Sequence, residues 1–479
     1  MKVAFHTLGC KVNQYETEAL KEKFSLKGYS VVDEKEFADI YVINTCTVTS
    51  LADRKSRQYI RKMKKVNPAS IVAVTGCYAQ MSPDEVASIE EVNLVAGTNE
   101  KGRLVEYIEE YMRMDSKVTD CHVRPYEDLT EYEEIGIITS MDSKTRAYIK
   151  IQEGCNRFCS YCIIPYARGP VRSRDLSEII EEAKTLINKG FKEIVLTGIN
   201  TALYGADQDI KKSGVGSNID SNVDSNVGSN IDSNVGSDVG SGVDSGVDSG
   251  VGSGVDSGVE QIIKELNGLE GEFRIRLSSL EPTVVNKDYV ERLLQYDKLC
   301  HHLHLSIQSG SNRILKTMNR KYSREDYLEI IELLKDFDKS YGITTDIIAG
   351  FPGETEEDFA DSLKIIQEVG FCKVHAFKYS KREGTAAAGM KSPVSPEIKN
   401  SRIARLIAEG EKTAENFFRG CIGETRVVLT ENIENGMIAG YTDNYVKAYI
   451  DSEDNELLNK FIKMKIIGLF KDGVKGVKE

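Results

Sequence analysis

The chain has 479 residues, 40% hydrophobic and 29% charged, with ten cysteines and a formal charge of −13. That is enough for two or three domains with their own cores, and the composition excludes a disordered or fibrous chain. "MKVAFHTLGC" lacks the apolar stretch of a secretory leader and no run of about 18 apolar residues follows, so no membrane role is expected and the chain is read as cytoplasmic, where ten cysteines argue for metal or redox use over disulfides.

Residues 1–115 alternate strand and helix. "MKVAFHTLG", "DIYVINT", "SIVAVTG" and "VNLVAG" are apolar runs, each followed by a helical stretch such as "NQYETEALKEKFSLKG". This is the pattern of an N-terminal parallel α/β domain. Cys10, Cys46 and Cys77 each fall just after the carboxyl end of one of these strands. Such ends line one edge of an open parallel sheet, where ligands bind, so three thiols distant in sequence are expected to converge. Between the first two units and the third lies "RKSRQYIRKMKK" (54–65), seven basic residues with no acidic one. An isolated basic run is usually a solvated helix face, but local patches, not net charge, set the field that a phosphate backbone meets.

The pattern restarts over 140–390. "RAYIKIQEG", "EIVLTGIN", "RIRLSSLE", "HLHLSIQSG", "TTDIIAGFPG" and "VHAFKYS" read as six strands with helices such as "LSEIIEEAKTLINKG" between them. Six β/α units suggest an incomplete parallel barrel with its active site at the carboxyl ends of the strands. Residues 213–260 interrupt it with twelve four-residue units, each opened by Ser; seven Asp and one Glu with no Lys or Arg give this segment eight of the net negative charges. It reads as a flexible acidic insertion without catalytic role. Residues 415–479 are strand-rich with Asn-Gly and Gly-Tyr turns, as in a small β-barrel.

"EGCNRFCSYCIIPYARG" (153–169) places Cys155, Cys159 and Cys162 at the mouth of this barrel. Structural zinc would want a fourth ligand and paired spacings, and a redox dithiol needs only two thiols. Three thiolates on one short loop suit a 4Fe-4S cluster with one iron left open for an outside molecule. Gly198 and Asn200 of "LTGIN", Glu281 of "SSLEP", Gln308 of "SIQSG" and Arg320 sit near strand ends as candidate cofactor contacts, although each residue type at such a place is more often structural. His301, His302 and His304 lie in or beside an alternating strand and are read as structural. Cys121, Cys300, Cys372 and Cys421 are read as small buried or incidental residues.

The C-x3-C-x2-C spacing, with Tyr161 before the last cysteine and a later "FPGE", resembles the radical S-adenosylmethionine superfamily. The resemblance implies that the open iron binds the amino and carboxylate groups of S-adenosylmethionine. The reduced cluster then cleaves it to methionine and a 5′-deoxyadenosyl radical. With the N-terminal triplet and the C-terminal barrel added, the whole chain outside the insertion resembles the radical S-adenosylmethionine methylthiotransferase family. That implies an enzyme with a second 4Fe-4S cluster on Cys10, Cys46 and Cys77. It also implies a TRAM RNA-binding barrel in which "GYTDNYVKAYI" is the most recognisable stretch.

No acid/base pair could activate the unreactive C–H bond involved, so no Ser/His/Asp set and no separate catalytic side chain is sought. "HTLGCKVNQYETE" and "QEGCNRFCSYCIIPYARGPVRSR" most resemble the branch that acts on N6-threonylcarbamoyladenosine at tRNA position 37. The isopentenyladenosine branch typically opens "GCQMN" and the ribosomal-protein branch "GCPKN". Arg54, Lys55, Arg57, Arg61 and Lys62 then become candidate tRNA contacts, with Tyr441 and Tyr445 as stacking aromatics. A monomer with tRNA as substrate and an unspecified sulfur donor and reductant is expected. The alternatives are another methylthiotransferase substrate or a non-catalytic iron–sulfur RNA-binding protein.

Overall fold

A computed structural model describes residues 1–114, 118–139, 141, 145–207, 258–284 and 287–479. The expected repeat lies outside the described residues except at its end: Gly258–Asn267 is helical, with Glu260 paired to Arg292 at 2.9 Å, so the helix takes in residues assigned to the insertion from sequence.

Six strands form the N-terminal sheet: β1 (Lys2–Thr7), β2 (Ser30–Val32), β3 (Ile40–Thr45), β4 (Ile71–Gly76), β5 (Leu94–Ala96) and β6 (Asp120–His122). They run parallel in the order β2-β1-β3-β4-β5-β6, so the last strand lies beyond residue 115. Every residue of β3 is buried because helices cover both faces, which explains its unbroken apolar run. Helix α1 (Lys11–Leu26) follows β1 and α2 (Ser50–Val66) follows β3. In α2, Asp53, Ser56, Ile60 and Met63 recur at helical spacing and are buried, which leaves most of the basic run to solvent; Thr49 caps it through the Ala52 amide.

The second domain is assembled as two four-stranded sheets. One holds β7 (Arg146–Glu153), β8 (Arg172–Ser173), β9 (Glu193–Gly198) and β10 (Arg274–Leu277), in the order β10-β9-β7-β8. The other holds β11 (Ser279–Leu280), β12 (His302–Leu305), β13 (Gly342–Ala349) and β14 (Lys373–Lys378). "RIRLSSLE" reads as one strand in the sequence; in the structure it breaks at Ser278 and hands the chain from one sheet to the other. β8 adds a short antiparallel hairpin that the β/α count does not anticipate. One continuous apolar core runs beneath both sheets.

A 25-residue helix, Pro396–Gly420, leads to a closed barrel of β15 (Thr425–Glu434), β16 (Met437–Thr442), β17 (Lys447–Ile450), β18 (Phe461–Phe470) and β19 (Gly473–Lys478). Closure removes exposed edges and encloses an apolar core that includes Val428, Ile450 and Met464. The barrel docks on the second domain through arginines: Arg276 donates to the Asp443 carbonyl at 3.0 Å, and Arg426 to Asp338 at 2.9 and 3.0 Å.

The first two domains meet over buried charge. Arg168 is wholly buried and donates to Glu16, to Glu153 at 2.6 Å and to Asn13 at 2.5 Å. Lys101 pairs with Glu16 at 2.7 Å and Lys150 with Glu153 at 2.9 Å. Burial alone would favour protonated Glu16, but Arg168, Lys101 and Lys150 outweigh it and bring its pKa down to about 2.

Candidate active site and its two cysteine triplets

β1, β3 and β4 are neighbours, and their carboxyl ends carry the N-terminal triplet. Cys10 precedes α1, Cys46 follows β3 directly, and Cys77 opens the short helix α3 (Cys77–Met81). Gly9 has φ +116°, and a Cβ there would stand 2.9 Å from the Cys46 Cβ. Glycine therefore permits the Cys10 loop to close on Cys46. Burial, then the neighbouring Cys77, pushes the Cys46 thiol up to about 12; burial also raises Cys10, partly offset by Arg168.

Both other cysteine loops of this domain are held from the second domain. Arg168 Nε donates to Cys77 Sγ at 3.2 Å, and Arg382 donates to Thr47 at 2.6 Å and Asp53 at 2.7 Å beside Cys46.

Cys155, Cys159 and Cys162 lie half-buried on the loop after β7. The loop is seated by Ser160, whose amide donates to the Met318 carbonyl at 3.0 Å and whose carbonyl accepts from Ala387 at 2.7 Å. Tyr161 packs on a small apolar cluster that contains Met318, Tyr379 and Phe351, the Phe of "FPGE". The distant sequence feature thus acts as a floor for the cysteine loop. Burial and the other thiols push Cys162 up to about 12; burial likewise pushes Cys155 up to about 11.

Among the described residues, no three His, Cys, Asp or Glu side chains converge on a single-ion site. A four-iron cluster spaces its thiolates more widely than one ion does, and the donor sets are soft, closely interacting thiols that gain from a cationic core. Both triplets fit iron–sulfur clusters by that chemistry.

Beside the second triplet the expected cofactor residues join into one network. Asn200 Nδ2 donates to Glu281 at 2.9 Å, Arg157 Nε to Glu281 at 2.8 Å, and Arg320 lies 3.4 Å from the same carboxylate and 3.2 Å from Cys159 Sγ. Asn200 Oδ1 is buried and has no hydrogen-bond partner among the described residues, an acceptor left for something else. Gly198 is expected from sequence to admit a cofactor, yet a Cβ there would meet Gln152 Oε1 at 3.0 Å, so packing against β7 already requires the glycine. Gln308 stands apart from this network. Its backbone is left-handed at φ +69° and pairs with the end of β13.

A cavity of about 430 Å³ opens beside the N-terminal triplet, lined by Cys10 and Lys11 on one side and by Gly198, Arg276, His304 and Asp346 of the second domain on the other. Cys10 is accessible, although protein surrounds it, because it opens here. His304 Nε2 contacts Asp346 at 3.1 Å and Ser306 at 2.9 Å; burial works to raise the Asp346 carboxyl, but His304, Ser306 and His375 together bring it below its ordinary value. Burial, then Arg276, drives His302 well below the usual imidazole range, so it is neutral. Of the three histidines read as structural, His302 and His304 therefore belong to the cavity wall, while His301 is bonded to Asp338 at 2.8 Å.

The expected RNA contacts divide. Arg54, Lys55, Arg61 and Lys62 are exposed on α2, whereas Arg57 is engaged by Tyr78 and Glu85, each at 2.9 Å. Tyr441 and Tyr445 form no open platform. They stack on each other at 5.2 Å, Arg146 covers Tyr441 at 4.4 Å and Arg276 covers Tyr445 at 4.9 Å. Buried Glu193 holds Arg276 at 2.9 Å and Arg274 at 2.5 Å, and the ring faces complete the seat of the barrel.

Sequence reasoning does not single out Lys11, Arg168, Arg276, Asp346 or Arg382. Only Lys11 and Arg168 stand inside recognisable motifs, and nothing in their spacing marks them.

A radical SAM superfamily model matches residues 149–366, and a model described as uncharacterized protein family UPF0004 matches residues 2–97. The fold resembles TsrM, a radical S-adenosylmethionine methyltransferase from Kitasatospora setae solved with cobalamin and a [4Fe-4S] cluster. The TM-score is 0.54 over 91% of this chain and 80% of that one, at 12% identity. The superfamily match, which spans the Cys155 loop, thus defines a radical S-adenosylmethionine enzyme, a class that uses a 4Fe-4S cluster with S-adenosylmethionine.

The threonylcarbamoyladenosine tRNA methylthiotransferase MtaB of Bacillus subtilis is 40% identical, over 97% of this chain and 93% of its own length. The MtaB of Aquifex aeolicus is 37% identical, over 97% and 100%. A tRNA-2-methylthio-N(6)-dimethylallyladenosine synthase of Clostridium tetani is 32% identical, over 96% and 92%. The chain belongs to the radical S-adenosylmethionine methylthiotransferase family, in its MtaB type.

Proposed function

We propose that this chain converts N6-threonylcarbamoyladenosine at position 37 of tRNA to its 2-methylthio derivative. Cys155, Cys159 and Cys162 would hold the cluster that takes S-adenosylmethionine, and Cys10, Cys46 and Cys77 a second 4Fe-4S cluster. The observation that carries this reading is the cavity lined at once by Cys10 and by Gly198. A base placed there would stand beside Cys10 and beside the end of β9, where Gly198 and Asn200 follow each other closely. When bound, the first cluster and S-adenosylmethionine supply the radical that removes hydrogen from the base, and the second supplies the sulfur position.

The protein's own work is placement. Asn200, Glu281 and Arg320 offer hydrogen-bond and charge partners beside the first site, and Arg168 and Arg382 tie two of the three N-terminal cysteine loops to the second domain. These ties hold the Cys46 and Cys77 loops against the second domain. Exposed Arg54, Lys55, Arg61 and Lys62 would carry phosphate contacts.

Iron counting after anaerobic reconstitution tests the assignment. About eight irons per chain are expected, falling to about four when Cys155, Cys159 and Cys162 are all replaced by Ala. Four falling to zero would remove the second cluster and the methylthiotransferase reading with it. Mass spectrometry of threonylcarbamoylated tRNA after turnover, with isopentenylated tRNA as the comparison, then assigns the base.

A further inference from the structure

Lys11 is the first residue of α1, directly after Cys10, and lines the cavity with it. Among the described residues its ammonium has no hydrogen bond and no ion pair. The other ionised groups on this wall are engaged. Arg276 is held by Glu193 at 2.9 Å and by the Asp443 carbonyl at 3.0 Å. Asp346 Oδ2 accepts from Ser306 at 2.9 Å and contacts His304 at 3.1 Å. Lys11 shares an enclosed recess with the Arg276 guanidinium and the Asp346 carboxylate but bonds to neither, and an ammonium left without a partner there is costly. A ligand carrying an anion is the partner that would remove that cost.

tRNA brings two kinds of anion, backbone phosphates and the carboxylate of a threonylcarbamoyl group. A phosphate stays on the sugar backbone outside the base, while the substituent on N6 travels with the base into the recess.

We infer that Lys11 is a specificity residue that binds the carboxylate of the threonylcarbamoyl group and so distinguishes this substrate from uncharged N6-modified adenosines. The inference rests on the proposed function.

The test is binding, measured by fluorescence anisotropy with the reconstituted protein. The probes are anticodon stem-loops carrying N6-threonylcarbamoyladenosine, its carboxyl methyl ester, or plain adenosine at position 37. Wild type should favour the acid over both neutral forms by about ten- to hundredfold, as expected for one charge-assisted hydrogen bond. Lys11→Gln should lose that preference while its affinity for the adenosine stem-loop is unchanged, and Lys11→Arg should keep it.

Iron per chain is counted for each variant, because Lys11 adjoins Cys10, and Lys11→Met is the second neutral variant should Lys11→Gln lose iron. Equal weakening for all three probes would make Lys11 a phosphate partner and overturn the inference. A preference that survives in both neutral variants would overturn it too. No preference in wild type would sink the substrate assignment itself, a result distinct from either of those.

Discussion

A guanidinium without water must be answered by protein acceptors, and Arg168 has four at once: Glu16, Glu153, Asn13 and the sulfur of Cys77. Removing one member of a buried ion network strands the others, at a cost of about 3–5 kcal/mol. Arg168→Met should lower unfolding stability by that order in denaturant titration, and a loss below about 1 kcal/mol would show that the neighbours re-pair without it. Glu16 sets the pH dependence of the same junction. Its pKa falls from 4.5 to about 2 on folding, so its contribution is complete above 4.5 and is lost as pH drops toward 2. Acid titration of wild type should show stability falling across that window, and Glu16→Gln should flatten the slope there while being less stable at neutral pH. These residues are not legible in the sequence. Glu16 and Arg168 are 152 positions apart, and only the docking of two domains gives them a common environment.

At the scale of elements, α2 combines a buried stripe with a basic outer face. If that face meets phosphates, each basic side chain removed from it should reduce the slope of log affinity against log salt by about 0.7–0.9. Replacing Arg54, Lys55, Arg61 and Lys62 together by Gln should therefore weaken tRNA binding broadly and flatten its salt dependence, with base preference intact. Arg57→Gln alone should do little to the slope, since its charge is already answered by Glu85. Unchanged salt dependence in the fourfold variant would place the tRNA elsewhere. Strands such as β3 and β13 are readable because their apolar runs are long and bounded. The break between β10 and β11 is not, because it depends on which neighbouring strand each half pairs with. The same limit hides the cavity role of His302 and His304. An alternating strand reveals two faces but not what stands across from them.

At the scale of the molecule, the interruption after β9 tests how independent the scaffold is of it. The chain leaves the described structure at Asp207 and re-enters at Gly258. The flanks nearly touch: a Cβ on Gly205 would lie 3.3 Å from the Gly258 Cα. A linker of about five residues, at about 3.3 Å each, easily spans such a gap. Replacing residues 208–257 with it would shorten the closing loop about tenfold, which relieves about 2 kcal/mol of closure entropy. The helix Gly258–Asn267 would keep its anchors, since Val259, Ile262, Ile263 and Leu266 are all buried in the main core. The shortened protein should therefore melt at the same temperature or slightly higher and load the same iron per chain. Equal iron with a lower melting temperature would mean that the segment itself helps to hold the fold. Iron lost from the Cys155 site would mean that the end of β9, where Gly198 and Asn200 stand, depends on it.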